Sequence, residues 1–146
     1  MQSAWDWQVV DGCPTGTGFV RVHPSGQVVD GGSTITIYAG ELRGSRGLPP
    51  PPYSWAADAE NDVAVWHIAL KHQSSCTLPA AKTGRAANRS LYLTAGPSVT
   101  ISGRKVEKGY FAQLDASLPV DVAAADGPVE LLLLQGERGC RSALSA

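Results

Sequence analysis

The sequence predicts an all-β fold, a sandwich or barrel of short antiparallel strands. Between residues 91 and 136, five apolar runs of three to six residues follow one another at nearly regular intervals, and turn residues separate them. A helix would need ten or more residues between breakers, whereas short strands fit this spacing. Apolar and polar residues also alternate earlier in the chain, as in Ser33–Ala39, which is typical of a half-buried strand.

The five apolar runs are Leu91–Ala95, Val99–Ile101, Tyr110–Leu114, Val120–Ala124 and Val129–Leu134. Their separators are Gly96-Pro97, Ser102-Gly103, Lys108-Gly109, Leu118-Pro119 and Asp126-Gly127-Pro128. Strands joined by such short turns indicate a meander. Alternate side chains are expected to fill the interior of a small barrel, namely Leu91, Leu93, Val99, Ile101, Val122, Leu131 and Leu133.

Three earlier segments have strand character: Gly18–Arg21, Ser33–Ala39 and Val63–Lys71. In the third, Trp66, Ile68 and Leu70 share one face and His67 lies on the other. A short polar or helical turn is expected at residues 56–62, and a short strand with a polar loop at residues 74–88.

The composition bounds the possible functions. A chain of 146 residues with 43% apolar and 17% charged residues is expected to form one globular domain. We divide it into an N-terminal arm, residues 1–17, and one barrel domain, residues 18–146. A net charge of -1 without a basic stripe argues against nucleic-acid binding. No apolar run is long enough for a membrane span, and residues 1–10 do not resemble a secretion signal, so we expect a soluble cytoplasmic protein.

The cysteines Cys13, Cys76 and Cys140 are far apart and odd in number, which fits neither a disulfide framework nor a zinc site. We interpret them as reduced thiols, with a Cys13–Cys140 bridge as the alternative. Cys76 is expected to be a small buried apolar residue, because no base beside it in the sequence would activate the thiol.

Four consecutive prolines, Pro49–Pro52, lie in a predicted loop from Gly40 to Tyr53. Residues 46–52 fit the pattern of an SH3 ligand and residues 50–53 that of a WW ligand. A rigid loop between two sheets explains the same prolines without a partner. We adopt the loop interpretation.

Several segments from Ile35 onward together resemble the C-terminal half of pirin, a family with two cupin domains. The matching segments are Ala39-Gly40-Glu41, Gly44–Gly47, the strand ending at Leu70, Leu78-Pro79, Leu91–Gly96, Val99–Gly103 and Glu130–Gly136. The resemblance implies an antiparallel cupin, a double-stranded β-helix of jelly-roll type. In pirins the N-terminal cupin carries the metal, and the family has been linked to quercetin dioxygenase activity and transcriptional co-regulation.

The same resemblance locates the positions of the cupin metal ligands, which are a His-x-His pair, a glutamate and a later histidine. Lys82 and Gly84 stand at the pair, Arg89 at the glutamate and Val120 at the last histidine. None of these side chains serves as a ligand. Residues 73–106 contain no His, Asp or Glu. The prediction is therefore a cupin without a metal, a cofactor or catalytic residues.

Cationic residues occupy this acid-free window: Lys82, Arg85, Arg89, Arg104 and Lys105. An Arg89 side chain that points into the barrel would bind a carboxylate or phosphate bidentately, and one that points outward is a solvated surface charge. Tyr92 and Gln113 are further candidates for a pocket lining. A small anionic ligand is the partner that these residues predict.

Two functions compete. The first is a non-catalytic cupin that binds a small ligand or another protein. The second is a metal-dependent, quercetinase-type oxygenase whose ligands would have to come from His23, His67 and His72. We favour the first, because a non-haem iron centre needs three or more converging ligands and these histidines lack the spacing.

A homodimer is the last expectation. A cupin half without its partner domain retains apolar groups that need cover, and two-fold symmetry is the commonest way to provide it. Trp5, Trp7 and the edge strands are the expected contact groups. Alternatively, the arm covers its own barrel.

Overall fold

The computed structural model describes residues 7–10, 19–22 and 26–137, with side chains from residue 26 onward. The predictions made for Trp5, Cys13, His23 and Cys140 lie outside the described residues. Strands dominate the described part, and its helical segments are three 3-10 turns at Trp55–Ala57, Ala59–Asn61 and Gly84–Ala86. Within that part, no helix has the length and apolar character required to cross a membrane.

The first seven strands are β1 (Trp7–Val10), β2 (Phe19–Val22), β3 (Gly26–Asp30), β4 (Ser33–Ala39), β5 (Glu41–Leu42), β6 (Ser45–Arg46) and β7 (Ala64–Leu70). The remaining strands are β8 (Ser75–Leu78), β9 (Ala87–Ala95), β10 (Ser98–Ile101), β11 (Arg104–Glu107), β12 (Phe111–Asp115), β13 (Val120–Ala123) and β14 (Val129–Glu137).

Two antiparallel sheets form the barrel. One has six strands in the order β12-β9-β14-β7-β4-β3, and the other has four in the order β11-β10-β13-β8. Two small ribbons, β1-β2 and β5-β6, complete the described strands. One hydrophobic core joins the sheets, since it contains Ile37 and Leu133 from the larger sheet and Val99 and Val122 from the smaller.

The predicted meander is wrong, although every run proposed for it is a strand. Strands β9, β12 and β14 belong to the six-stranded sheet, whereas β10, β11 and β13 belong to the four-stranded sheet. Only β10 and β11 pair with their neighbour in sequence among these strands. Crossing between the sheets lets their two apolar faces bury each other, which a meander confined to one sheet would not achieve.

The predicted phase of the interior side chains is confirmed. All seven are buried in the core: Leu91, Leu93, Val99, Ile101, Val122, Leu131 and Leu133. On β7, Trp66, Ile68 and Leu70 are buried, and His67 lies on the opposite face as expected. The alternation therefore carried enough information to set which face of each of these strands is inside.

Two edge strands were not predicted, β3 and β11. In β11, Arg104, Lys105 and Glu107 are exposed and only Val106 packs on the core. Edge strands of this kind are polar because one side of the ladder and one face meet solvent. Neither segment has the apolar run by which the other strands were predicted.

Candidate functional site

A cavity of about 820 Å³ opens at one end of the barrel. The ends of four neighbouring strands contribute to it, through Ala39 of β4, Trp66 of β7, Arg89 of β9 and Gln135 of β14. The volume lies within the range of small-molecule sites, about 300–1,000 Å³. The connection from β4 to β7 and residues 79–82 form its rim.

The β4–β7 connection is held by close backbone contacts. Gly40 adopts a left-handed conformation, with φ of 85°, and its carbonyl accepts a 2.9 Å hydrogen bond from the Gly47 amide. A side chain at Gly40 would come within 2.6 Å of the Val63 carbonyl oxygen. The prolines Pro49 and Pro50 follow this turn and line the cavity. Forming a cavity wall accounts for the rigid proline loop.

Arg89 lies at the centre of the site. Its phase on β9 matches that of Leu91 and Leu93, so the side chain points into the barrel and is only 1% exposed. Its Nε donates a 2.7 Å hydrogen bond to Gln135 Oε1, and its Nη1 donates a 2.6 Å bond to the Pro79 carbonyl. Of the two orientations considered from the sequence, the inward one is present.

Gln135 and Asp62 extend this network towards the rim. Gln135 Nε2 donates a 2.9 Å hydrogen bond to the Asp62 carbonyl. The Asp62 carboxylate in turn accepts from the amide and the hydroxyl of Thr83, at 3.0 and 3.2 Å. Gln135 is thus held by hydrogen bonds at both ends of its amide, with its Oε1 towards Arg89.

Burial lowers the pKa of Arg89, and the negative charge of Asp62 opposes that shift. An arginine remains protonated at neutral pH even when its pKa is lowered, because its ordinary pKa lies far above neutral. The inner end of the cavity therefore carries a fixed positive charge in a poorly solvated place, where an anion is attracted more strongly than at the surface.

Trp66 supplies a second polar group in the same place. Its side chain is 3% exposed, and its indole Nε1 has no hydrogen-bond partner among the residues described. Arg89 Cζ lies 6.0 Å from the Trp66 ring centroid, at the limit of a cation–π contact. A buried donor left unpaired costs about 1–3 kcal/mol, so a partner for Nε1 is expected.

The charged groups at the rim are paired with one another. Glu41 lies 3.0 Å from Arg46 Nε and 3.9 Å from Lys82 Nζ. Arg43 lies 3.8 Å from Asp30 and also donates to the Thr77 carbonyl at 3.2 Å. Of the cavity's cations, Arg89 is thus the one that is buried and has no ion pair within the described part of the chain.

Tyr92 and Gln113 do not line the cavity. Tyr92 lies one residue out of phase with Leu91 and Leu93, so it points to the outer face of the sheet, where it stacks on Phe111 with 5.0 Å between ring centroids. Gln113 is exposed on β12, accepting from the Ser90 hydroxyl at 3.0 Å and donating to the Arg89 carbonyl at 3.2 Å. The structure brings only Arg89 of the three candidates to the barrel interior.

Sequence reasoning missed Trp66 and Gln135. The signal for Gln135 was its phase, because it follows Leu133 by two residues and Leu131 by four and is therefore an inward polar group near the end of a strand. The signal for Trp66 was an indole N–H on an inward position, which requires a partner.

The residues present do not fit a cupin metal centre. At the positions matched to the ligands, Arg89 is engaged in hydrogen bonds, Val120 is buried in the apolar core, and Lys82 contacts Glu41 at the rim. His67 lies on the outer face with Nε2 at 3.1 Å from Glu130 Oε1. Across the described ranges, no three His, Cys, Asp or Glu side chains meet where they could hold a metal ion.

No known protein-family profile matches the chain, and no curated protein matches it in sequence. Several solved structures, in contrast, are similar to the chain in fold. A quercetin 2,3-dioxygenase from Acinetobacter baumannii superposes with a TM-score of 0.63 at 15% identity, over 82% of this chain and 39% of that one. GK1651 from Geobacillus kaustophilus gives a TM-score of 0.58 at 16% identity, over 82% of this chain and 46% of that one.

A cupin_2 domain of an XRE family transcriptional regulator from Enterobacter cloacae has a similar size. It gives a TM-score of 0.50 at 10% identity, over 72% of this chain and 96% of that one. By contrast, the chain spans about two fifths of the dioxygenase. These likenesses establish the fold, which is an all-β cupin jelly roll, and cupins of this shape occur in proteins named as an enzyme and as a regulator.

Proposed function

We propose that this protein is a pirin-like cupin that lacks the metal-ligand motif and binds a small anionic ligand without catalysing a reaction. The buried guanidinium of Arg89 at the inner end of the cavity carries this proposal. A positive charge removed from water is costly unless an opposite charge or strong acceptors compensate it, and an anionic ligand would do so.

The pirin likeness is supported by the order and spacing of the matching segments along the chain. Two of them, Leu91–Gly96 and Glu130–Gly136, fall on β9 and β14, the paired strands that carry Arg89 and Gln135.

The composition of the cavity supports a role in binding. Its described lining includes no histidine, cysteine or serine, so it offers no Ser–His or Cys–His pair of nucleophile and base. Most of the wall is apolar, with a few polar groups at the inner end, which is the usual composition of a ligand site.

Thermal denaturation of the full chain in the presence of a broad set of small organic acids, alcohols, amines and sugars tests the proposal. Acids are expected to raise the midpoint with increasing concentration, because a ligand that binds only the folded state stabilises it. The shift should be lost in Arg89→Met. Arg89→Lys keeps a charge at this position and controls for charge alone.

A set in which no acid shifts the midpoint would contradict the proposal. Metal analysis of the same preparation tests the oxygenase alternative, which the geometry of His67 does not favour. Stoichiometric iron, nickel, copper or zinc that is lost in His67→Ala or His72→Ala would establish that alternative instead.

A further inference from the structure

Two donors at the inner end of the cavity remain without acceptors. Arg89 uses Nε and Nη1 in hydrogen bonds, and its Nη2 donates to no acceptor within the described part of the chain. Trp66 Nε1 is likewise unpaired there and is fully buried. Both side chains line the same cavity, and Arg89 Cζ lies 6.0 Å from the Trp66 ring centroid.

We propose that the ligand is a monocarboxylic acid with an apolar body, and that its carboxylate accepts hydrogen bonds from Arg89 Nη2 and Trp66 Nε1. This inference rests on the proposed function, in that it specifies the chemistry of the anion. A carboxylate has two oxygens, each of which accepts at about 2.9 Å, so one group offers an acceptor to each of the two donors.

The charge of the cavity favours a single negative charge. Its lining carries four cations, Arg43, Arg46, Lys82 and Arg89, against three acids, Glu41, Asp58 and Asp62. The salt bridges of Arg43, Arg46 and Lys82 at the rim already involve Asp30 and Glu41. Arg89 is the lining cation without an ion pair among the described residues, and a carboxylate would supply one. A phosphate dianion would bring a second charge and more acceptor oxygens than two donors satisfy.

The walls beyond the two donors favour an apolar body. Besides Arg89 and Trp66, the lining includes the apolar residues Leu42, Leu48, Pro50, Val63 and Ala64. Burying apolar ligand surface against such walls stabilises the complex in proportion to the area buried. Affinity should therefore rise with the length or ring size of the acid until the cavity is filled.

Titration calorimetry of the full chain tests this with straight-chain acids from acetate to decanoate, benzoate, octanamide and phenyl phosphate. Longer acids are expected to bind more tightly than acetate, and octanamide at least about tenfold more weakly than octanoate, because a hydrogen bond to a charged group exceeds a neutral one. Phenyl phosphate should bind more weakly than benzoate.

Trp66→Phe is the most specific variant. It keeps a six-membered aromatic ring and removes the pyrrole ring with its N–H donor. It should weaken octanoate binding about tenfold while changing octanamide binding by less than threefold. A companion variant, Leu42→Ala, changes the apolar wall and should weaken both compounds alike.

The outcomes distinguish the monocarboxylate assignment from the proposed binding of an anion. Equal octanoate affinity in Trp66→Phe and the natural protein would overturn the assignment of Trp66. Tighter binding of phenyl phosphate than benzoate, or binding of other acids from the broad set without any monocarboxylate, would overturn the ligand class and leave the proposed function in place. Failure of every acid in both experiments would overturn both.

Discussion

Arg89 and Gln135 face each other directly across β9 and β14, and Arg89 Nε donates a 2.7 Å hydrogen bond to Gln135 Oε1. Both side chains are buried. Gln135 also donates to the Asp62 carbonyl, so it connects the buried cation to the rim of the cavity. The orientation of the guanidinium therefore depends on a residue of the neighbouring strand.

Replacing Gln135 by leucine should destabilise the fold by about 1–3 kcal/mol, because Arg89 Nε and the Asp62 carbonyl each lose a hydrogen-bond partner in a buried place. Urea denaturation with fluorescence detection measures the change. Unaltered stability would mean that water or another acceptor replaces the amide.

Gln135→Glu keeps the shape of the side chain and adds a negative charge next to Arg89. The new carboxylate should compete with an anionic ligand for the guanidinium and weaken binding of benzoate by about tenfold or more. Calorimetry on the natural protein and both Gln135 variants measures this. Benzoate affinity that stays equal in Gln135→Glu would show that the anion binds away from Arg89.

The neighbouring residues Leu133 and Leu134 offer a matched test of strand phase on β14. Leu133 is fully buried between the sheets, and Leu134 is 39% exposed on the outer face. Leu133→Ala should cost about 2–5 kcal/mol through cavity formation. Leu134→Ala should cost under about 1 kcal/mol, since a partly exposed side chain loses little buried area. Equal losses in urea denaturation would contradict the phase described.

Alternation within a strand was sufficient to predict the core, because a side chain's face depends only on its position relative to its neighbours. It placed Leu133 inside and His67 outside correctly. Pairing between strands is a different property. It depends on which sheets bury each other, and that information is spread over the whole chain, so the meander was predicted wrongly.

The same distinction, between alternation within a strand and pairing between strands, applies to the candidate site. Arg89 was recognised as a candidate from its residue type, and its inward phase follows from Leu91 and Leu93 on the same strand. Trp66 and Gln135 become part of the site only through the antiparallel registers that bring β7, β9 and β14 together. Tyr92 was proposed from residue type without regard to that phase.

Burial raises the pKa of the Cys76 thiol to about 11, with Asp121 and Asp30 contributing and Arg43 opposing. Because the folded state favours the protonated thiol, this group's contribution to stability is complete below pH 9 and is lost as the pH rises towards about 11. Denaturation midpoints measured between pH 8 and 11 should fall more steeply for the natural protein than for Cys76→Ala.

The same shift should make Cys76 unreactive at pH 8, because the thiolate is the nucleophile. In a Cys13→Ser/Cys140→Ser background, alkylation by iodoacetamide should be about tenfold or more slower than for a free cysteine. Rapid alkylation with the fold intact would contradict the raised pKa.

Asp126 should contribute to stability at neutral pH and lose that contribution in acid. Two groups lower the pKa of this carboxyl. The Ser98 hydroxyl donates a 2.6 Å hydrogen bond to Asp126 Oδ2, and Lys105 Nζ lies 3.2 Å from the same oxygen. A lowered folded-state pKa means that the stabilisation is present above the ordinary carboxyl pKa and disappears as the pH falls below it. Stability measured from pH 6 to 3 should fall less in Asp126→Asn, and a parallel fall would contradict this.

The chain is also expected to form a two-fold homodimer. Phe111 is 54% exposed on β12, an edge strand of the six-stranded sheet, and stacks with Tyr92 on the outer face, where Leu132 of β14 lies opposite Tyr92. An apolar edge is a surface that a second copy can cover, and Trp5 and Trp7 in the N-terminal arm are the other predicted contact groups.

Sedimentation of the full chain, of residues 18–146 and of Phe111→Glu distinguishes the contribution of the sheet edge from that of the arm. A dimer that dissociates in Phe111→Glu assigns the contact to the edge, and one that dissociates on truncation assigns it to the arm. A monomer in the full chain at micromolar concentration would show that neither surface binds a second copy.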